Sequence, residues 1–155
     1  PSPSVDNYDQ LPAMSLAALT EQLQTAIMSQ KYALIVANFA NPDMVGHTGD
    51  YNATVQAIEA VDQSLAKLAN AIKQVQGEMF ITADHGNAEC MYDKIHAQPH
   101  TAHTTSLVPC VYVGKADLQP RFAQGGLADI APTLLERLGL AIPAEMTGKI
   151  LFTAN

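Results

Sequence analysis

With 155 residues, 48% of them hydrophobic and 15% charged, the chain has the composition of a globular domain and lacks any apolar stretch of the ~18 residues a bilayer-spanning helix needs. Its net charge of −7, with only eight Lys and Arg, excludes a phosphate-tracking nucleic-acid surface and leaves few cations for gripping an anionic substrate. Cys90 and Cys110 stand apart, which fits reduced, mostly buried thiols better than a disulfide framework or a zinc ribbon.

In chain order, residues 1–14 are rich in Pro, Ser and Asp and have no periodicity. They read as an extended lead-in with neither the basic start nor the apolar core of a secretory leader, so a cytoplasmic location is expected. From Ser15, a good N-cap residue, Leu16, Leu19, Leu23 and Ile27 recur at helical spacing. KYALIVANFA, residues 31–40, is continuously apolar and reads as a buried strand covered on both faces, as in parallel α/β sheets. Between Tyr51 and Val75 a longer amphipathic helix is predicted, with Val55, Ile58, Val61, Leu65, Leu68, Ile72 and Val75 in one stripe and Gly77 ending it.

EMFITA is the next strand, and residues 86–106 form a polar segment too long for an ordinary connection. LVPCVYVG reads as a third strand and Asp129 to Leu138 as a short helix. IPAEMTGKIL then holds a turn and a last short strand. Strands alternating with helices, without repeats or linkers, imply a layered α/β sandwich in a single domain.

The chemistry-bearing residues cluster where strands end. Asp43 and His47 follow the first strand, Asp84 and His85 follow the second, and His100 and His103 precede the third. In open α/β sheets ligands bind at the carboxyl ends of strands, so the first two pairs belong on one rim. Carboxylate and imidazole together suit a divalent cation of intermediate hardness, and the absence of nearby thiolates argues against a structural zinc. Gly46 and Gly86 allow close backbone approach, and Thr101, Thr104 and Thr105 are candidate partners for the imidazoles. His96 reads as an ordinary loop residue. A serine hydrolase built on Ser64 or Ser106 lacks the G-x-S-x-G elbow, Cys90 lacks a cysteine-protease signature, and no glycine loop for phosphate is present.

NFANPDMVGHTGD, ITADHGNAE, PHTAHTT and DIAPTLLERLGL with PAEMTGK, in that order, resemble the carboxyl-terminal part of the cofactor-independent (2,3-bisphosphoglycerate-independent) phosphoglycerate mutases, members of the alkaline phosphatase-like superfamily. The resemblance covers nearly all of the chain. It implies a layered αβα sandwich of the alkaline phosphatase-like type, here a partial domain spanning residues 1–155, in a cytoplasmic and usually monomeric enzyme of glycolysis and gluconeogenesis. That enzyme interconverts 3- and 2-phosphoglycerate through a phosphoserine, with two Mn ions for which Mg, Co or Zn can substitute. By motif, Asp43, His47 and His103 resemble the ligands of one metal and Asp84 and His85 part of the other, while His100, Thr101 and Thr104 stand behind them.

The resemblance also shows departures. The family's nucleophilic Ser, the Asp beside it, and the inserted domain whose Arg and His residues grip the substrate have no counterpart in these residues. HTTSLVP stands where HTTNPVP is typical, and Ala13 replaces an acidic residue, both away from the ligand positions. The chain is therefore expected to hold one complete metal site, to lack mutase activity by itself, and to expose an apolar sheet edge. Self-association and a loosely packed amino-terminal segment follow from that view. The rival readings are another phosphotransferase of the same superfamily, such as a phosphopentomutase, a phosphodiesterase, or a non-catalytic metal-binding module.

Overall fold

The computed structural model describes residues 2–114 and 118–154, in two compact units, Pro1–Val113 and Gly114–Asn155. In the first unit the elements are α1 (Leu16–Ser29), α2 (Asn41–Gly46), α3 (Tyr51–Gln74), β1 (Met79–Thr82), β2 (Tyr92–Asp93), β3 (Gln98–Pro99) and β4 (Cys110–Val113). The second holds β5 (Leu118–Pro120), α4 (Ile130–Arg137) and β6 (Phe152–Ala154).

The long helix α3 starts where Asp50 accepts the Ala53 N–H at 2.8 Å, a side-chain cap on an otherwise orphan donor. It stops where Gln76 turns to φ 59° and the Gly77 N–H closes on the Ile72 carbonyl at 3.0 Å. Its buried face differs from the expected stripe. Ala53, Thr54, Ala57, Ser64, Leu68 and Ala71 are buried, whereas of the large aliphatic residues only Leu68 is, and Ile58 is 43% exposed. Small side chains let α1 and α2 approach the α3 backbone closely, so the bulky residues flank the contact instead of filling it. Ser64 is buried in this face and donates to the Ala60 carbonyl at 2.9 Å, an intrahelical bond and no nucleophile's setting.

Leu16, Thr20 and Leu23 form the buried side of α1, with Leu19 and Ile27 half-buried beside them. Ser15 does stand at its N-cap, but its hydroxyl makes no capping bond, because φ −95° and ψ 18° depart from the extended backbone that aims a cap at the first turn. The lead-in holds no buried residue among those described and touches the rest of the unit at two points. Tyr8 lies against the cluster of Val45, Ala53 and Ala57, and the Asn41 side-chain amide donates to the Pro12 carbonyl at 2.9 Å.

Residues 31–40 do not form the buried strand that their composition implies. The segment enters no ladder among the described residues, and Tyr32, Leu34 and Val36 are 63%, 49% and 81% exposed. Apolar β-branched residues favour a pleated, covered surface, but a strand exists only where a neighbouring backbone pairs with it. The ladders that do form are antiparallel, without the parallel pairing that run had implied. β1 pairs with β4, Met79 opposite Val113 and Thr82 opposite Cys110. β4 is shorter than LVPCVYVG, and Cys110 is exposed at its start, against the expectation of buried thiols.

The long polar segment folds back as the β2–β3 hairpin, with Asp93 bonding the Ile95 and His96 N–H groups and the His96 ring across its tip. In the second unit α4 lies within the predicted span. The last strand, β6, begins just past IPAEMTGKIL and pairs with β5, a strand the sequence reading did not contain. Asp129 organises this unit: its carboxylate accepts the Gly126 and Lys149 N–H groups at 2.7 and 2.6 Å. Those bonds hold its pKa below the usual carboxylate range, the Lys149 N–H contributing most.

Candidate metal centre

Three segments of the first unit bring ligand-type side chains together. Pro42 sits in the first turn of α2, where its fixed φ suits a helix start, and the single turn it opens puts Asp43 and His47 on one face. Val45, fully buried between them in sequence, anchors that turn against Ala53 and Ala57 of α3. The chain leaving β1 carries Asp84, His85, Asn87 and Glu89, and the segment between β3 and β4 carries His100, Thr101, His103 and Thr104.

Asp43 Oδ1 lies 3.1 Å from His47 Nε2 and 3.1 Å from His103 Nε2, and the two Nε2 atoms are 3.0 Å apart. His85 stacks on His103 with ring centroids 3.6 Å apart, and Asp43, His85 and His103 each offer a ligand atom within 4.8 Å of the others. The family resemblance had divided these residues between two sites. Here His85 joins the first group, while Asp84 faces solvent, 81% exposed, with its carboxylate 3.6 Å from His85 Nε2.

The donor set fits a divalent cation on its own chemistry. His47 Nδ1 is 2.6 Å from the Thr101 carbonyl, which can only accept, so Nδ1 carries a proton and Nε2 is the ring atom turned inward. Nε2 meets a carboxylate oxygen and a second imidazole nitrogen. A carboxylate and two imidazole nitrogens turned to one point are a donor set that a divalent cation can bind. Separations of 3.0–3.1 Å are also close to the roughly 3.0 Å between neighbouring ligands of an octahedral cation with bonds of about 2.1 Å. One side of the cluster is open, Asp43 being 35% exposed, so a hydrated ion has a way in.

The residues expected behind the ligands are placed unevenly. Thr101 acts through its backbone carbonyl, and the Thr104 hydroxyl donates to Glu89, not to an imidazole. The Thr105 side chain is exposed. His100 is half-buried and its N–H donates to the Met91 carbonyl at 3.0 Å, but its Nδ1 is buried without a hydrogen-bond partner and stands outside the cluster. Two residues went unnoticed in the sequence. Asn87, 6% exposed, donates from Nδ2 to Asp43 Oδ1 at 2.8 Å. Glu89 accepts the Thr104 hydroxyl and, at 2.7 Å, the Asn87 N–H; its pKa is lowered to about 2, chiefly by the Thr104 hydroxyl, against burial, with the Asn87 N–H adding the least. The only available signal was their place in DHGNAE, immediately after the ligand pair.

Gly46 and Gly86 are the close approaches expected of them. A Cβ at Gly46 would run into Asn87 Oδ1, and one at Gly86 into Thr104 Oγ1 and Glu89 Oε1.

Residues 1–142 match the family described as the metalloenzyme superfamily. The chain belongs to that superfamily. Among relatives of this metalloenzyme, the 2,3-bisphosphoglycerate-independent phosphoglycerate mutase of Francisella tularensis subsp. novicida is 55% identical over 98% of the chain and 30% of its own length. The enzyme of the same name from Coxiella burnetii is 52% identical over 99% of the chain and 29% of its own length. A crystal structure of Leishmania mexicana phosphoglycerate mutase at low cobalt concentration superposes with a TM-score of 0.90 at 36% identity, covering 100% of the chain and 31% of that protein. The fold is accordingly α/β of the alkaline phosphatase-like type, and the chain spans about 30% of the length of these relatives.

Proposed function

We propose that this metalloenzyme chain is the metal-binding portion, carboxyl-terminal in its parent domain, of a 2,3-bisphosphoglycerate-independent phosphoglycerate mutase that interconverts 3- and 2-phosphoglycerate. The observation that carries the reading is the convergence of Asp43 Oδ1, His47 Nε2 and His103 Nε2 within 3.0–3.1 Å from segments 56 residues apart, in a chain so similar to enzymes of that name. Asp43, His47 and His103 hold one Mn ion. Asp84 and His85 contribute to a second beside it, His85 standing next to the first group and its Nε2 lying 3.6 Å from the Asp84 carboxylate.

A set that mixes carboxylate with imidazole suits Mn, with Mg, Co or Zn as fitting substitutes, and its lack of thiolate argues against a structural zinc. When bound, such cations neutralise phosphoryl oxygens and lower the pKa of an attacking hydroxyl. The protein's own part is orientation: the Thr101 carbonyl fixes the His47 tautomer, and α2 holds the Asp43 carboxylate and His47 on one face. The proposal includes a monomeric, cytoplasmic parent enzyme in glycolysis and gluconeogenesis. It is consistent with the finding that no helix among the described residues is long and apolar enough to cross a membrane.

Calorimetric titration of the 155-residue chain with Mn(II), paired with an assay for conversion of 3-phosphoglycerate, tests the proposal. The expected result is saturable Mn binding without turnover. Absence of Mn binding overturns the metal reading, and turnover by these residues alone overturns the division of labour.

A further inference from the structure

The ligand-bearing segments are tied to one another by hydrogen bonds that need no metal. The turn of α2 is tied to the 100–104 segment by His47 Nδ1 and the Thr101 carbonyl, 2.6 Å apart. The 84–89 and 100–104 segments are joined by the Thr104 N–H to the Gly86 carbonyl at 2.9 Å and by the Thr104 hydroxyl to Glu89. The third side of the triangle, between 84–89 and α2, rests on Asn87. Its Nδ2 donates to Asp43 Oδ1 at 2.8 Å and lies 3.4 Å from the Asp43 carbonyl, while its own N–H is held by Glu89 at 2.7 Å.

The orientation of the Asn87 amide is dictated by that contact. Turned over, it would set its oxygen against the Asp43 carboxylate, acceptor to acceptor. In the orientation seen, Oδ1 is buried and has no hydrogen-bond partner, pressed toward the Cα of Gly46 where a Cβ would collide with it. A buried acceptor left unmet is an unfavourable arrangement for folding alone. It persists because the other end of the amide is engaged on Asp43.

We infer that Asn87 is a positioning residue of the metal centre: its side-chain amide, seated against Gly46 and held from behind by Glu89, fixes the Asp43 carboxylate and registers the 84–89 segment on α2. The inference rests on the metal reading of Asp43, His47 and His103 and adds to it how that site is built before an ion arrives. Glu89 acts through its acceptor geometry and not its charge. Glu89→Gln can keep both bonds, because the amide oxygen accepts from the Asn87 N–H and the amide N–H donates to the Thr104 hydroxyl, which is donor or acceptor as required.

The test measures Mn(II) dissociation constants of the 155-residue chain by calorimetry, the visible spectrum of the Co(II)-loaded chain as a report on ligand geometry, and the melting midpoint without metal. Asn87→Ala, Gly46→Ala and Glu89→Ala are each expected to weaken Mn(II) binding by about 10–100-fold and to alter the Co(II) bands, as loss of a partner behind a ligand does. Glu89→Gln is expected to restore both. Gly46→Ala serves where Asn87→Ala does not fold, since alanine favours the helix while its Cβ pushes the amide away. His103→Ala controls for the metal reading itself. If it binds Mn(II) as well as the parent chain, that reading fails; if it loses binding while Asn87→Ala and Gly46→Ala keep the parent affinity and spectrum, the positioning inference alone fails. Loss of binding in Glu89→Gln equal to that in Glu89→Ala would overturn the geometric role of Glu89.

Discussion

Residues 41–47, 84–89 and 100–104 and the run at 31–40 respond in opposite ways to being read in isolation. In the first group, polar residues of one short helix and two connecting segments find their partners inside the chain: Asp43 meets Asn87, His47 meets Thr101, and Glu89 meets Thr104. In the second, a sequence ideal for a strand joins no ladder among the described residues and leaves Tyr32, Leu34 and Val36 exposed. Each of these side-chain hydrogen bonds needs only one partner group, even when that partner lies 15 to 54 residues away, whereas a strand requires a whole neighbouring backbone. The scaffold of the candidate metal centre is thus held by hydrogen bonds among the described residues, while residues 31–40 stand largely exposed.

That contrast is open to attack by mutation. The largest stability change is expected at Val45, fully buried beneath the turn that presents Asp43 and His47. Val45→Ala should lower unfolding stability by about 2 kcal/mol in denaturant titration and weaken Mn(II) binding as α2 loosens. Next comes Thr104→Val, which removes the hydroxyl that chiefly depresses the Glu89 pKa to about 2. It should cost about 1 kcal/mol and raise that pKa, followed by carboxyl-carbon NMR.

The sign is fixed by the direction of the shift. Because the folded-state pKa is lowered, the Glu89 bonds stabilise the protein above about pH 4.5 and are lost as pH falls toward about 2. The Thr104→Val variant should therefore show a shallower loss of stability through that window. The smallest effect is expected at Val36, 81% exposed, where Val36→Lys should change stability by no more than about 0.5 kcal/mol. It should, however, reduce any concentration-dependent self-association seen by light scattering, because the charge interrupts the apolar run. A loss near that of Val45→Ala would show that residues 31–40 are internally supported after all.

How much of this was written in the sequence follows the same division. α1, α3 and α4 were legible because helix signals are local: apolar periodicity, and Gly77 just beyond the end of α3. β1 and the end of β4 were legible as apolar runs, and Asp43 with His47 was legible because their spacing only needs one helical turn to converge. The buried face of α3 was not, since Ala53, Ala57 and Ser64 are chosen by the approach of neighbouring helices and not by their own hydrophobicity. β5 and its pairing with β6 escaped because Leu118–Pro120 is too short to have a period. Asn87 and Glu89 escaped because nothing in an amide or a carboxylate says which backbone it will meet.

The central claim is that Asp43, His47 and His103 together hold a divalent cation. Mn(II) titration of the Asp43→Ala, His103→Ala double variant beside the parent chain tests it most directly. The account predicts saturable binding by the parent chain and a fall of well over about 100-fold in the double variant, beyond what loss of an outer partner causes. Undiminished binding in the double variant would contradict it.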